Sequence, residues 1–130
     1  MGLKTYNTLN VRRNRQPMTP CLMLYRKQGI IMFNSTAQEL MKLKAGDHVQ
    51  FHQDEDEPSE WYVQKTKGKE GFRLRLTSRN NYLALNSSFM VQTIYDSVNY
   101  VGINGKVTIG EKVQGHADMW TLVTLVLRNQ

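Results

Sequence analysis

The most constraining feature of this sequence is an order of short segments that occurs twice. It is two brief apolar runs, a capped amphipathic stretch, then another apolar run. Cys21 to Tyr25 and Ile30 to Phe33 are separated by Arg26-Lys27-Gln28-Gly29. Four turn residues with a glycine free to take a positive φ predict a β-hairpin there. Asn34 to Leu43 follows, in which Ser35 with Gln38, or Thr36 with Glu39, has capping-box spacing, and Ala37, Leu40 and Met41 share a helical face. After Lys44-Ala45-Gly46-Asp47, residues Val49, Phe51 and Gln53 alternate with His48, Gln50 and His52, as in a half-buried strand.

The second half repeats the order. Trp61 to Lys65 reads as a strand and Thr66 to Gly71 as a Lys- and Gly-rich turn. Phe72-Arg73-Leu74-Arg75-Leu76 is the clearest alternation in the chain, placing Phe72, Leu74 and Leu76 inward and the two arginines on the opposite face. Asn80-Asn81 makes a turn and Tyr82 to Leu85 a strand; Asn86-Ser87-Ser88 caps a helix with Val91, Ile94, Tyr95 and Val98 on one side. Lys106 to Ile109 and Met119 to Leu127 complete the strands. Phe33-Asn34-Ser35 and Leu85-Asn86-Ser87 open the two helices in the same way, although strand ends followed by Asn-Ser caps also arise independently. The expected fold is α+β and mainly β: a small barrel-like or curved antiparallel sheet from two β-β-α-β-like units, with two short helices and pseudo-repeat halves of about 20–65 and 71–127.

At 130 residues one core is expected, in a domain burying roughly two-thirds of the surface its unfolded chain exposes. Residues 1–17 are polar, carry Arg12, Arg13 and Arg15, and end at Pro17, so they read as a basic arm preceding a compact domain over 18–130. The longest apolar runs fall far below the roughly 20 residues of a spanning helix, and Met1 to Asn10 has no signal-peptide h-region. A cytoplasmic protein is expected. Cys21, the single cysteine, allows neither an internal disulfide nor a Cys-based zinc site, and reads as a small core filler.

Formal net charge is +6, and five of the eleven acids lie together as Asp54, Glu55, Asp56, Glu57 and Glu60. The rest of the surface is therefore strongly positive, as expected of a protein that meets phosphates; solubility alone could also account for it.

Residues 25–51 resemble the AbrB/SpoVT family of swapped-hairpin DNA-binding domains. Gly29, Ile31, Phe33, Ala37, Met41, Leu43, Gly46, Asp47 and Val49 fall at the matching spacing, while Asn34 stands where that family usually has Pro and the Arg often found beside Ala37 is missing. The resemblance implies a hairpin feeding a two-turn helix and a sharp turn at Gly46-Asp47 into the next strand. If the second half repeats the unit, one chain could form a barrel that the family builds from two.

The candidate nucleic-acid contacts are cationic. Arg12, Arg13 and Arg15 could order on a phosphate backbone or enter a minor groove, or form an ordinary charged tail. Arg73, Arg75 and Arg79 with Lys65, Lys67 and Lys69 would make a positive stripe if their strands pair, unless that face is merely solvated. Arg26 and Lys27 join the set from the first hairpin turn. Trp61 and Tyr62 point to opposite faces of one strand, so at most one is core and the other could stack on a base.

The acidic run lacks the spaced ligands and central glycine of an EF-hand and reads as a solvated hairpin loop. His48 and His52 are roughly 13 Å apart by strand rise, too far to share a zinc, and His116 has no partner at ligand spacing. No metal, cofactor or catalytic set is expected, and the chain does not read as an enzyme.

The first expectation is a non-enzymatic DNA-binding regulator or nucleoid-type factor acting through the arm and the Arg73-Arg75 face, with DNA preferred over RNA. A second is single-stranded DNA or RNA binding on a curved sheet, as in Whirly-like proteins, with Trp61 or Tyr62 stacking on bases. A third is a protein-interaction or assembly module that meets a partner or another copy through exposed edges and aromatics. A homodimer would follow if a single unit made half the barrel.

Overall fold

A computed structural model describes residues 2–3, 19–78, 81–124 and 127. Arg12, Arg13, Arg15 and Arg79 lie outside these described residues. The first hairpin joins β1 (Cys21–Tyr25) to β2 (Ile30–Phe33), with Gly29 at φ 65° closing the turn through a 2.9 Å bond to the Tyr25 carbonyl. Its register sets Leu22 against Phe33 and Leu24 against Ile31, and all four are fully buried.

Helix α1 (Ser35–Met41) starts from Asn34. Neither capping box forms, because Asn34 reaches the helix first: its side-chain oxygen accepts from the Ala37 amide at 2.9 Å, while Gln38 donates to the Phe33 carbonyl. Lys42 closes α1 in the left-handed region at φ 53°. The chain then pairs β3 (His48–Gln53) with β4 (Trp61–Thr66) around the acidic loop.

The expected strand Phe72 to Leu76 is split. Phe72–Arg73 (β5) pairs with β3, and Arg75–Leu76 (β6) pairs with β7 (Leu83–Asn86). Leu74 lies between them, its amide donating to Asp47 O and its carbonyl accepting from Gly46 N, both at 2.8 Å. The kink lets one segment serve two neighbours, and it leaves Leu76 at the rim, 54% exposed rather than inward. Helix α2 (Ser88–Ser97) starts from Ser87, whose hydroxyl accepts from Met90 N, and buries Val91, Ile94 and Tyr95. The last strands are β8 (Asn104–Lys112) and β9 (Met119–Val123), β8 longer and β9 shorter than the sequence pattern indicates.

The nine strands form one antiparallel sheet in the order β5-β3-β4-β9-β8-β1-β2-β7-β6. Its edge strands are consecutive in the chain, so the sheet curls into a nearly closed barrel. The pairings carry an internal two-fold: exchanging β1 with β6, β2 with β7, β3 with β8 and β4 with β9 maps β1–β2 onto β6–β7 and β3–β4 onto β8–β9. The β2–β7 and β4–β9 pairings map onto themselves, and α1 and α2 occupy equivalent places. Leu22, Leu24, Ile31, Phe33, Val49, Val63, Leu85, Ile94 and Tyr95 fill the interior. Among the described residues, every buried side-chain nitrogen and oxygen has a hydrogen-bond partner, and no helix is long and apolar enough to cross a membrane.

Candidate nucleic-acid interface

Strand directions sort the loops into two ends. β1 begins and β2 finishes beside α1, β3 and β9 start there and β4 and β8 terminate there, so Thr19-Pro20, α1, residues 42–47, residues 67–71 and residues 113–118 gather at one end. The other end holds the turn 26–29, the acidic loop 54–60, α2 and residues 98–103. Six residues of β3 separate the two ends by about 20 Å.

Charge follows this division. The α1 end exposes Lys42, Lys44, Lys67, Lys69, Arg73 and Lys112 and half-buries Lys65, seven cations against the five acids Glu39, Asp47, Glu70, Glu111 and Asp118. The α2 end carries Asp54, Glu55, Asp56, Glu57, Glu60 and Asp96 against Arg26 and Lys27. Lys4, Arg12, Arg13, Arg15, Arg79 and Arg128 lie outside the described residues. The described part therefore holds eleven of the seventeen cations and all eleven acids, and is neutral overall. The barrel is polarised rather than uniformly positive.

At the α1 end, Lys65 points along the interior row of β4 and out through its rim. Its ammonium donates to the Lys42 carbonyl at 2.9 Å and lies 3.5 Å from Asp47 Oδ2, which also accepts from Lys44 N at 2.8 Å. The half-exposed ion pair is worth under about 1 kcal/mol, and its main effect is to tie the exit of α1 to β4. On the outer face, Arg73 stands opposite His48, and Thr66 stands opposite His48 from the other side. Arg75 is exposed and donates from Nε to Asn86 Oδ1 at 2.8 Å.

The arm is rooted at this same end. Asn34 Nδ2 donates to the Thr19 carbonyl at 2.8 Å, and Ile109 N donates to Pro20 O at 2.9 Å. Asn34 also accepts from Cys21 N and donates to Cys21 Sγ, at 3.2 Å each. Cys21 is half-buried rather than fully core, and burial raises its thiol pKa.

Three of the expected site residues belong elsewhere. Trp61 is only 3% exposed and donates from Nε1 to Ser97 Oγ at 2.8 Å, so it packs under α2 and cannot stack on a base. Arg26 is spent on structure: Nε donates to Gly102 O at 2.9 Å, Nη2 to Tyr100 O at 2.6 Å and Nη1 to Gln92 Oε1 at 2.7 Å. Lys27 is exposed, but at the opposite end. Tyr62 does face outward, half-buried, between His52 and Thr121. Beside it, Gln64 Oε1 lies 2.9 Å from both Gln50 Nε2 and His52 Nε2.

The structure thus brings together Lys65, Lys67, Lys69 and Arg73, and adds Lys42 and Lys44. The last two sit in the loop after a short helix, and only the pairing of β3 with β4 brings that loop beside Lys65. Among the described residues, no three His, Cys, Asp or Glu side chains gather as metal ligands would. No protein-family model, curated protein or solved structure matches the chain.

Proposed function

We propose that this is a non-enzymatic nucleic-acid-binding protein that holds a phosphate backbone against the α1 end, with the arm of residues 1–17 completing the grip. The observation that carries this reading is the convergence of charge. Lys42, Lys44, Lys67, Lys69 and Arg73 are exposed where Thr19 hands over to an arm holding Lys4, Arg12, Arg13 and Arg15 and no acid. Five carboxylates of the acidic loop stand at the far end, so the field is directional and orients an approaching polyanion. The resemblance of residues 25–51 to AbrB/SpoVT domains lends support to duplex DNA as the first target to test.

The test is fluorescence anisotropy with labelled duplex DNA, single-stranded DNA and RNA at about 50 and 200 mM salt. With about five phosphates neutralised, affinity falls some two to three orders of magnitude between the two conditions. Replacing Arg12, Arg13 and Arg15 with Ala, or Lys44, Lys67 and Arg73 with Ala, weakens binding and flattens that salt slope. Lys27→Ala with Lys106→Ala changes neither. No binding at low salt, or equal losses in all three variants, overturns the reading.

A further inference from the structure

We propose that the α2 end is a docking surface for the α1 end of a second copy, so that the protein free of nucleic acid associates head to tail. Apart from Leu3 and Val123, the exposed large apolar side chains among the described residues stand at the two ends. Phe89, Val101 and Ile103 are 76%, 92% and 68% exposed. All three flank Arg26, whose amide donates to Ile103 O, whose guanidinium bonds the carbonyls on either side of Val101, and which reaches Gln92, one turn beyond Phe89 on α2. Arg26 thereby fixes a rigid platform for an apolar patch of the kind that marks an interface. Leu40 and Leu76 are exposed at the opposite end.

Charge names the occupant. The α2 end carries Asp54, Glu55, Asp56, Glu57, Glu60 and Asp96 against only Arg26 and Lys27, and the surface on this same chain with the opposite balance, exposing Leu40 and Leu76 and holding more Lys and Arg than acid, is the α1 end. The internal two-fold gives the ends like architecture, a helix across a barrel mouth, while the sequence gives them opposite charge. Two copies joined this way leave one end of each kind unused, which is a heterologous contact that extends into a chain. The acidic loop of one copy then occupies the cations that the nucleic-acid reading assigns to phosphates. Only this competition rests on that reading; the association itself does not.

Two variants and their mixture test it by sedimentation velocity without nucleic acid, at about 50 mM salt and from about 10 to 300 µM protein. Variant X carries Lys44→Glu with Lys67→Glu; variant Y carries Glu55→Lys, Glu57→Lys and Phe89→Ser. All five side chains are exposed, so neither variant loses core contacts. The unaltered protein shows a weight-average mass that rises with concentration past twice that of one chain. X and Y alone stay monomeric, and their mixture gives a discrete 1:1 dimer, because Y supplies the intact α1 end and X the intact α2 end. A wild-type protein that stays monomeric throughout overturns the proposal, as does a mixture that stays monomeric. Loss of oligonucleotide binding with association intact would instead count against the nucleic-acid reading alone.

Discussion

The Arg26 guanidinium lies over the Tyr95 ring, 4.5 Å from its centroid, so that the turn of the first hairpin is clamped to the core side of α2. The same group donates to two loop carbonyls and to Gln92. Arg26→Ala removes the cation–π contact and leaves Gly102 O and Tyr100 O without this donor, which should cost about 2–4 kcal/mol. Arg26→Lys keeps a charge but not the planar fork, and should recover less than half of that loss. Urea denaturation of both variants measures it; equal stability to the parent would show the clamp to be idle.

Asn34 and Ser87 are counterparts under the internal two-fold, each capping a helix, yet they are not equal in work. Ser87 satisfies the Met90 amide, whereas Asn34 satisfies Ala37 N, Cys21 N and Thr19 O and contacts the Cys21 sulfur. Ser87→Ala should cost about 1 kcal/mol, the usual value of a cap. Asn34→Ala should cost about 2–3 kcal/mol, because buried partners are left unpaired. Thermal melts of the two should therefore separate by several degrees in that order.

Tyr95 is fully buried and donates to the Leu24 carbonyl. Burial, reinforced by the neighbouring Tyr100 phenol, pushes its pKa from 10 up to about 12. The folded state therefore holds a proton that the unfolded state releases above pH 10. Stability from this source is complete below pH 10 and is lost as pH rises towards 12, at up to about 1.4 kcal/mol per pH unit. The urea midpoint should fall through this window in the parent, and the fall should be shallower in Tyr95→Phe by that amount.

Gly71 sits where β5 meets β3, and a Cβ there would lie 2.4 Å from the Val49 carbonyl oxygen. Gly71→Ala must displace backbone at the closing point of the barrel, and should cost more than about 2 kcal/mol. Gly115 has φ +84° but open space around its Cβ position, so Gly115→Ala should cost only about 1 kcal/mol of conformational strain. Denaturation curves of the pair isolate steric clash from backbone strain.

Much of the architecture was legible because burial here follows local period. Leu22, Leu24, Ile31 and Phe33 alternate as drawn, and Val91, Ile94, Tyr95 and Val98 line the inner side of α2. What failed was non-local. Alternation predicts one strand through Phe72 to Leu76, but a carbonyl and an amide from residues 46–47 capture Leu74 and divide it. Neither the pairing of Trp61 with Ser97 nor the capture of Arg26 by carbonyls some 75 residues away leaves a local trace in the sequence. The candidate site was half legible. Lys67 and Arg73 could be named from strand pattern, whereas Lys42 and Lys44 join them only through the tertiary fold.

The two halves related by the internal two-fold meet along β1–β8, β2–β7, β3–β5 and β4–β9, and residues 67–71 are the covalent tether between them. Those contacts are intramolecular, so each half always faces the other at the high effective concentration a short tether imposes. The barrel itself therefore assembles at any dilution, without the encounter that a barrel built from two chains would need. Cleaving the tether would turn the same contacts into an encounter between two fragments, and folding into a reaction governed by mass action.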